Sequence, residues 1–106
     1  MQLGIRLHDT RKLPFEERIA DVRRLGFVCG HLALAKVIQE FPTTDEALTP
    51  GLAMYIRNVF AKNKVDIAVL GCYLNLADPN QEELERTVHR YMAHIRFSSL
   101  LGCGVV

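Results

Sequence analysis

The stretch Val65 to Pro79, V-D-I-A-V-L-G-C-Y-L-N-L-A-D-P, constrains the fold more than any other part of this chain. It opens as an apolar β-type run of Val65, Ile67, Ala68, Val69 and Leu70. It then turns small and polar at Gly71, Cys72, Tyr73 and Asn75, and Asp78-Pro79 punctuates it before a long helical pattern. A hydrophobic strand that ends in small and polar residues and hands over to a helix is the building unit of parallel α/β proteins. Their ligands sit at the carboxyl ends of the strands.

The rest of the chain reads as further copies of that unit. Gln2 to His8 is a β-like run with Gly4, Arg6 and His8 on one face and Leu3, Ile5 and Leu7 on the other. Asp9-Thr10-Arg11-Lys12 is a polar loop, and Pro14 suits the first turn of a helix. Phe15, Ile19, Val22 and Leu25 recur at helical spacing, which puts Glu16, Glu17, Arg18, Asp21, Arg23 and Arg24 outward. Acidic residues lead and arginines trail, as the helix dipole favours, and Gly26 ends the helix. Phe27 to Ala35 is the second predicted strand, and Lys36 to Leu48, with Pro42 and two threonines, is predicted to be loop with a short helical turn. Thr49-Pro50 marks a capped start for a second helix, striped by Leu52, Tyr55, Ile56, Val59 and Phe60 and ending near Asn63. After the third strand, Glu82 to Ser99 carries a long amphipathic helix that Gly102 stops, and Cys103-Gly104-Val105-Val106 is predicted to be a fourth strand.

Four strands alternating with three helices make a parallel βαβαβαβ unit of the α/β class. Such a unit, with helices on one side, leaves its other sheet face bare, and parallel sheets need both faces covered. The apolar run at the end has nothing after it to blunt its edge. The expectation is therefore a single partial domain over residues 1–106, the first half of a TIM (β/α)8 barrel, truncated at its carboxyl end. Its 106 residues suffice for one small core, and 49% hydrophobic with 24% charged residues is ordinary for a globular chain. The net charge of +1, with basic residues spread along the chain, argues against nucleic acid as a partner. No run approaches the roughly 18 apolar residues of a membrane span. Met1 to Arg6 lacks the charged and apolar regions of a signal peptide, so the expected location is the cytoplasm. Cys29, Cys72 and Cys103 form an odd set without C-x-x-C spacing and are expected to be free thiols.

The runs L-G-I-R-L-H-D, R-R-L-G-F-V-C-G-H-L-A-L, V-L-G-C-Y-L-N-L-A-D-P and S-S-L-L-G-C-G-V-V, in that order, resemble the xylose-isomerase-like TIM barrels. That superfamily includes sugar phosphate isomerases and epimerases, ketose 3-epimerases and metal endonucleases acting at abasic DNA sites. The resemblance spans the whole chain and corresponds to strands one to four of eight. It implies a metal-dependent parent acting by proton transfer on a sugar or sugar phosphate, with manganese, magnesium or zinc as the divalent cofactor. The metal ligands and acid–base carboxylates of the ketose 3-epimerases arise from strands five to eight. None can be placed here, so this chain alone is expected to bind no metal and to be inactive. The endonuclease branch, a weaker alternative, carries a histidine ligand just before the segment matching Tyr73 to Asn75, where this chain has Leu70-Gly71-Cys72.

What the resemblance assigns to this half is substrate contact by Arg6, His8, Gly71, Cys72, Tyr73 and Asn75. Arg6 would suit a phosphate or carboxylate, and His8 a sugar hydroxyl. Gly71 and Cys72 would line the sugar pocket, with Tyr73 and Asn75 closing its rim. Each has a plainer alternative: Arg6 in an ion pair, His8 in a loop start without a role, Tyr73 and Asn75 fixing their own loop. Cys72 reads as a packing residue more than a nucleophile, because no partner base lies nearby in sequence. His31 is either a polar strand-two pocket residue or a satisfied core histidine. His89 and His94, five apart on a helix, do not share a face for metal binding. Met54, Met92 and the phenylalanines read as core. An alternative of another class is a non-catalytic half-barrel that homodimerises, so the expected partners are a sugar or sugar phosphate and either a second copy or the remainder of the barrel.

Overall fold

Three of the apolar runs become strands: β1 (Gly4–Arg6), β2 (Cys29–Leu32) and β3 (Asp66–Leu70). They are defined in a computed structural model that describes residues 2–106, so Met1 of the expected 1–106 domain lies outside the described residues. All pairings are parallel and the order is β1-β2-β3, with Gly4 opposite Cys29 and Arg6 opposite His31. Between β2 and β3 the register slips once: Gly30 faces Ile67 and His31 faces Val69, so Ala68 is an extra residue, a bulge.

Four helices complete the chain: α1 (Phe15–Arg24), α2 (Leu34–Val37), α3 (Pro50–Lys62) and α4 (Gln81–Leu101). The two long ones have strong ends. Thr49 Oγ1 accepts the Leu52 amide at 3.2 Å to start α3, and Asn80 Oδ1 accepts the Glu83 amide at 3.1 Å to start α4. Gly102 closes α4 in the left-handed conformation at φ +75°, which costs glycine nothing.

One core holds the layers together. Leu7, Leu32 and Leu70, from the carboxyl ends of the three strands, are fully buried against Phe15, Ile19 and Val22 of α1, Ile56 and Phe60 of α3, and Phe97 and Leu101 of α4. Gly30 seats Leu7, because a Cβ there would lie 3.0 Å from the leucine side chain. The opposite sheet face carries Gly4, Arg6, Cys29, His31 and Ala68 around a shallow hollow of about 260 Å³, and nothing packs over it among the described residues.

Several expectations are corrected. The fourth strand does not form among the described residues. Cys103–Val106 has no ladder, and a single bond from the Leu70 amide to the Val105 carbonyl, 2.9 Å, lays it beside β3. The parallel unit is therefore βαβαβα with a tethered tail, an α/β fold with a three-stranded sheet. β1 is shorter than Gln2 to His8, because Leu7–Asp9 winds into a 3₁₀ turn. Leu34–Val37, half of which was expected in strand two, is the short helix α2. Arg18 and Asp21 point inward, 4% and 7% exposed. Arg18 donates from Nε to Thr10 Oγ1 at 2.9 Å and from Nη2 to the Thr10 carbonyl at 3.1 Å, while Asp21 pairs with Arg11 and Arg24. Burial is tolerable because each buried polar group keeps partners. Leu25, Met54 and Met92 are exposed rather than core, at 60%, 64% and 43%. The cysteines are free, as expected.

Truncating Phe97 to alanine should therefore cost about 3–5 kcal/mol in urea unfolding. Met54→Ala should stay within about 0.5 kcal/mol of the parent. Equal costs at the two positions would contradict the division into a covered and a bare side of the helices.

Candidate functional site

Once a strand-end leucine enters the core, its neighbour along the chain is delivered to the other side. His8 follows Leu7, His31 precedes Leu32 and Gly71 follows Leu70. Thr10 locks the turn after β1 by donating its hydroxyl to the Leu7 carbonyl at 2.6 Å, and Arg18 in turn holds Thr10. The His8 side chain is thereby kept 11% exposed, and its Nδ1 is buried without a hydrogen-bond partner.

Three rings meet there. His8 lies edge-on to His31 and to Tyr73, with centroids 5.8 and 5.7 Å apart. His31 and Tyr73 are parallel, 5.8 Å apart and inclined by 4°. The Tyr73 hydroxyl donates to His31 Nε2 across 3.3 Å when that nitrogen carries no proton. Lys36, from α2, sets its ammonium 4.4 Å above the centre of the Tyr73 ring. Gly71 makes this packing possible: a Cβ at residue 71 would fall 2.2 Å from His31 Nε2 and 2.9 Å from its Cδ2. The cluster thus draws on the segments that follow all three strands, the side of an α/β sheet where ligands bind.

Both imidazoles are pushed below the ordinary histidine value. Burial pushes His8 below the ordinary histidine range; Lys36, Arg6 and Arg18 reinforce the shift, and Asp9 opposes it. Burial also lowers His31, helped by His8 and Arg6. Beside the cluster, Gly71, Cys72, Tyr73 and Lys36 share a cleft of about 120 Å³ with Arg90 and His94 of α4. Burial pushes the Cys72 thiol up, which keeps it protonated and suits packing rather than nucleophilic attack. His94 is buried, 3% exposed; its Nδ1 donates to the Arg90 carbonyl at 2.9 Å, and burial lowers its pKa. Arg90 fixes the rim, donating to Asp45 at 2.7 Å and to the Thr43 carbonyl at 2.9 Å. Burial alone would raise Asp45, but hydrogen bonds from Arg90 and His89 outweigh it and hold the carboxyl below its usual range.

Of the six candidate contacts, His8, Gly71 and Tyr73 meet in the cluster, and Cys72 lines the adjoining cleft. Arg6 lies on the bare sheet face with its guanidinium 2.6 Å from Asp9, both side chains well exposed. Asn75 is exposed and outside the cluster; its Oδ1 accepts the Ala77 amide at 3.1 Å and fixes its own loop. Sequence reasoning left His31 between two roles and gave Lys36 none. Parity with Arg6 across the β1–β2 register would have placed His31 on the bare face. No local signal marks Lys36, because its position depends on α2. For the divalent ion that the family resemblance implies, no group of three or more His, Cys, Asp or Glu among the described residues is arranged to hold one. The residues present do not make a complete ligand set for that ion. No family model and no curated protein matches this chain. Among the described residues no helix is long and apolar enough to cross a membrane.

Gly71→Ala should push the His31 ring off Tyr73 and move the His31 titration toward the ordinary histidine value while the fold persists; histidine-ring NMR reads this directly, and an unmoved His31 resonance would count against the contact. Stability should also depend on pH with a definite sign. His8, His31 and His94 are all lowered from 6.5 on folding, so the unfolded chain takes up protons first as pH falls. Their contribution is complete above about pH 6.5 and declines below it. Asp45 adds a loss only below its ordinary value of 3.8. The urea midpoint should therefore drop between about pH 7.5 and about pH 5.5, and a flat profile would contradict the lowering of these three imidazoles on folding.

Proposed function

We propose that this chain is the amino-terminal part of a sugar or sugar phosphate isomerase/epimerase-like TIM barrel and supplies one side of the substrate pocket. The observation that carries the reading is the meeting of His8, His31, Tyr73 and Lys36 at the carboxyl ends of all three parallel strands. The bare sheet face supports it further: Gly4, Arg6, Cys29, His31 and Ala68 are small or polar, suited to a barrel interior that further strands complete. In this reading the parent is metal-dependent and moves a proton at a carbon next to a carbonyl, and the catalytic groups lie outside the residues described. His8 and His31, held neutral, donate or accept hydrogen bonds to sugar hydroxyls. Tyr73, half-exposed, presents a ring edge for the apolar side of the sugar.

The same bare face favours a second reading of another class, a non-catalytic module in which two copies cover each other's sheets. Sedimentation equilibrium separates the two, since a well-folded monomer at micromolar concentration rules out the second. For the first, a ketose and a ketose phosphate should shift the amide resonances of His8, His31, Gly71 and Tyr73, without epimerase turnover by this chain when manganese is added. Shifts confined to other surfaces, or turnover by the chain alone, would overturn it.

A further inference from the structure

We infer that the cluster of His8, His31, Tyr73 and Lys36 is an oxyanion site, selecting a ligand that carries a phosphate or carboxylate over a neutral sugar. The inference rests on the strand-end pocket proposed above and adds the charge of its ligand.

The contact of the His8 imidazole with the His31 and Tyr73 rings, and the Lys36 ammonium held 4.4 Å above Tyr73, carry it. Facing this imidazole are Arg6 from β1, Asp9 from its own turn, Arg18 from α1, His31 from β2, Lys36 from α2 and Tyr73 from the loop after β3. Three are fixed cations and one is a carboxylate. That carboxylate is already held by Arg6 at 2.6 Å, and the Arg18 donors are engaged with Thr10, with Glu40 as the nearby charge. Glu40 is itself occupied, accepting the Phe15 amide at 3.1 Å. Lys36 is the cation left over. Among the described residues no carboxylate pairs with its exposed ammonium, which sits over the Tyr73 ring instead.

Burial is the first cause that lowers both imidazoles, and neighbouring positive charge adds to it, from Lys36, Arg6 and Arg18 at His8 and from Arg6 at His31. An oxyanion reverses that balance. It pairs with Lys36 in a charge-assisted contact and stabilises the imidazolium form of each histidine, so ligand and proton bind together. A neutral hydroxyl obtains hydrogen bonds from the same groups but leaves the charge uncompensated.

Inorganic sulfate, which does not titrate in this range, is the probe. The histidine rings are followed by NMR across pH with and without sulfate, and His89, paired with Asp45 away from the ring cluster, serves as the internal reference. His8 and His31 should titrate higher in sulfate while the His89 signal does not respond to it, and binding should tighten as pH falls. Lys36→Ala, at an exposed position, should weaken sulfate about tenfold, and His8→Gln should remove the pH dependence. A hexose phosphate, a hexuronate and the neutral hexose are then compared at the same residues. Tighter binding by the phosphate assigns the oxyanion to a phosphate group, and tighter binding by the hexuronate assigns it to a carboxylate. Equal or stronger binding of the neutral hexose, with sulfate silent, overturns the oxyanion site and leaves the pocket standing. If none of the three perturbs these residues, both readings fall. An equal sulfate response at His89 also overturns the inference.

Discussion

Everything in this fold follows from covering one side of a short parallel sheet. Three strands of three to five residues cannot hold by hydrogen bonds alone, so the buried row of Leu7, Leu32 and Leu70 under α1, α3 and α4 is what fixes their order and height. A fully buried leucine is worth about 1.5–3 kcal/mol of transfer free energy, and deleting one leaves a cavity besides. Because neighbouring side chains diverge at a strand end, the same row dictates where His8, His31 and Gly71 go. The site is the back of the core.

Polar ties then hold the loops that the core does not reach. Arg18 is buried and bound to Thr10, which clamps the turn bearing His8. Glu40 caps the start of α1 and anchors the chain beyond α2. Arg90 joins α4 to the turn at Asp45 and Thr43. Each tie is partly buried, and those of Arg18 and Arg90 are doubly bonded, unlike the exposed Arg6–Asp9 pair, for which a stabilisation of about 0–1 kcal/mol is typical. The ring cluster therefore rests on fixed loops, which a binding site needs if ordering costs are not to consume affinity.

The cluster is defined by charge as much as by shape. Cations from β1, α1 and α2 neighbour the His8 imidazole, the one from β1 also acts on His31, and one of them, Lys36, lacks an acidic partner among the described residues. A three-stranded parallel sheet with helices on one side hosts many chemistries, so the fold leaves the function open and the site must carry the argument.

Local chemistry made some elements plain in the sequence. Thr49-Pro50 and Asp78-Pro79 announce the starts of α3 and α4, Gly102 the stop of α4, and the apolar runs at Ile5, Leu32 and Val65 to Leu70 the parallel strands, because caps and periodicity are written within a few residues. His8, Gly71 and Tyr73 were legible as pocket candidates from their place at strand ends. What pattern could not supply was pairing. Val105 and Val106 have strand character, yet one hydrogen bond to Leu70 makes no ladder. Arg18 and Asp21 look solvated until Thr10, Arg11 and Arg24 arrive as partners. Lys36 and His31 became site residues only when α2 and β2 were set against the loop after β3, with Gly71 leaving room for the imidazole. The contacts of His31 and Lys36 with Tyr73 join residues 42 and 37 positions apart in the chain, so no short window of sequence contains them; they exist once the buried leucines have brought the three strand ends to one level.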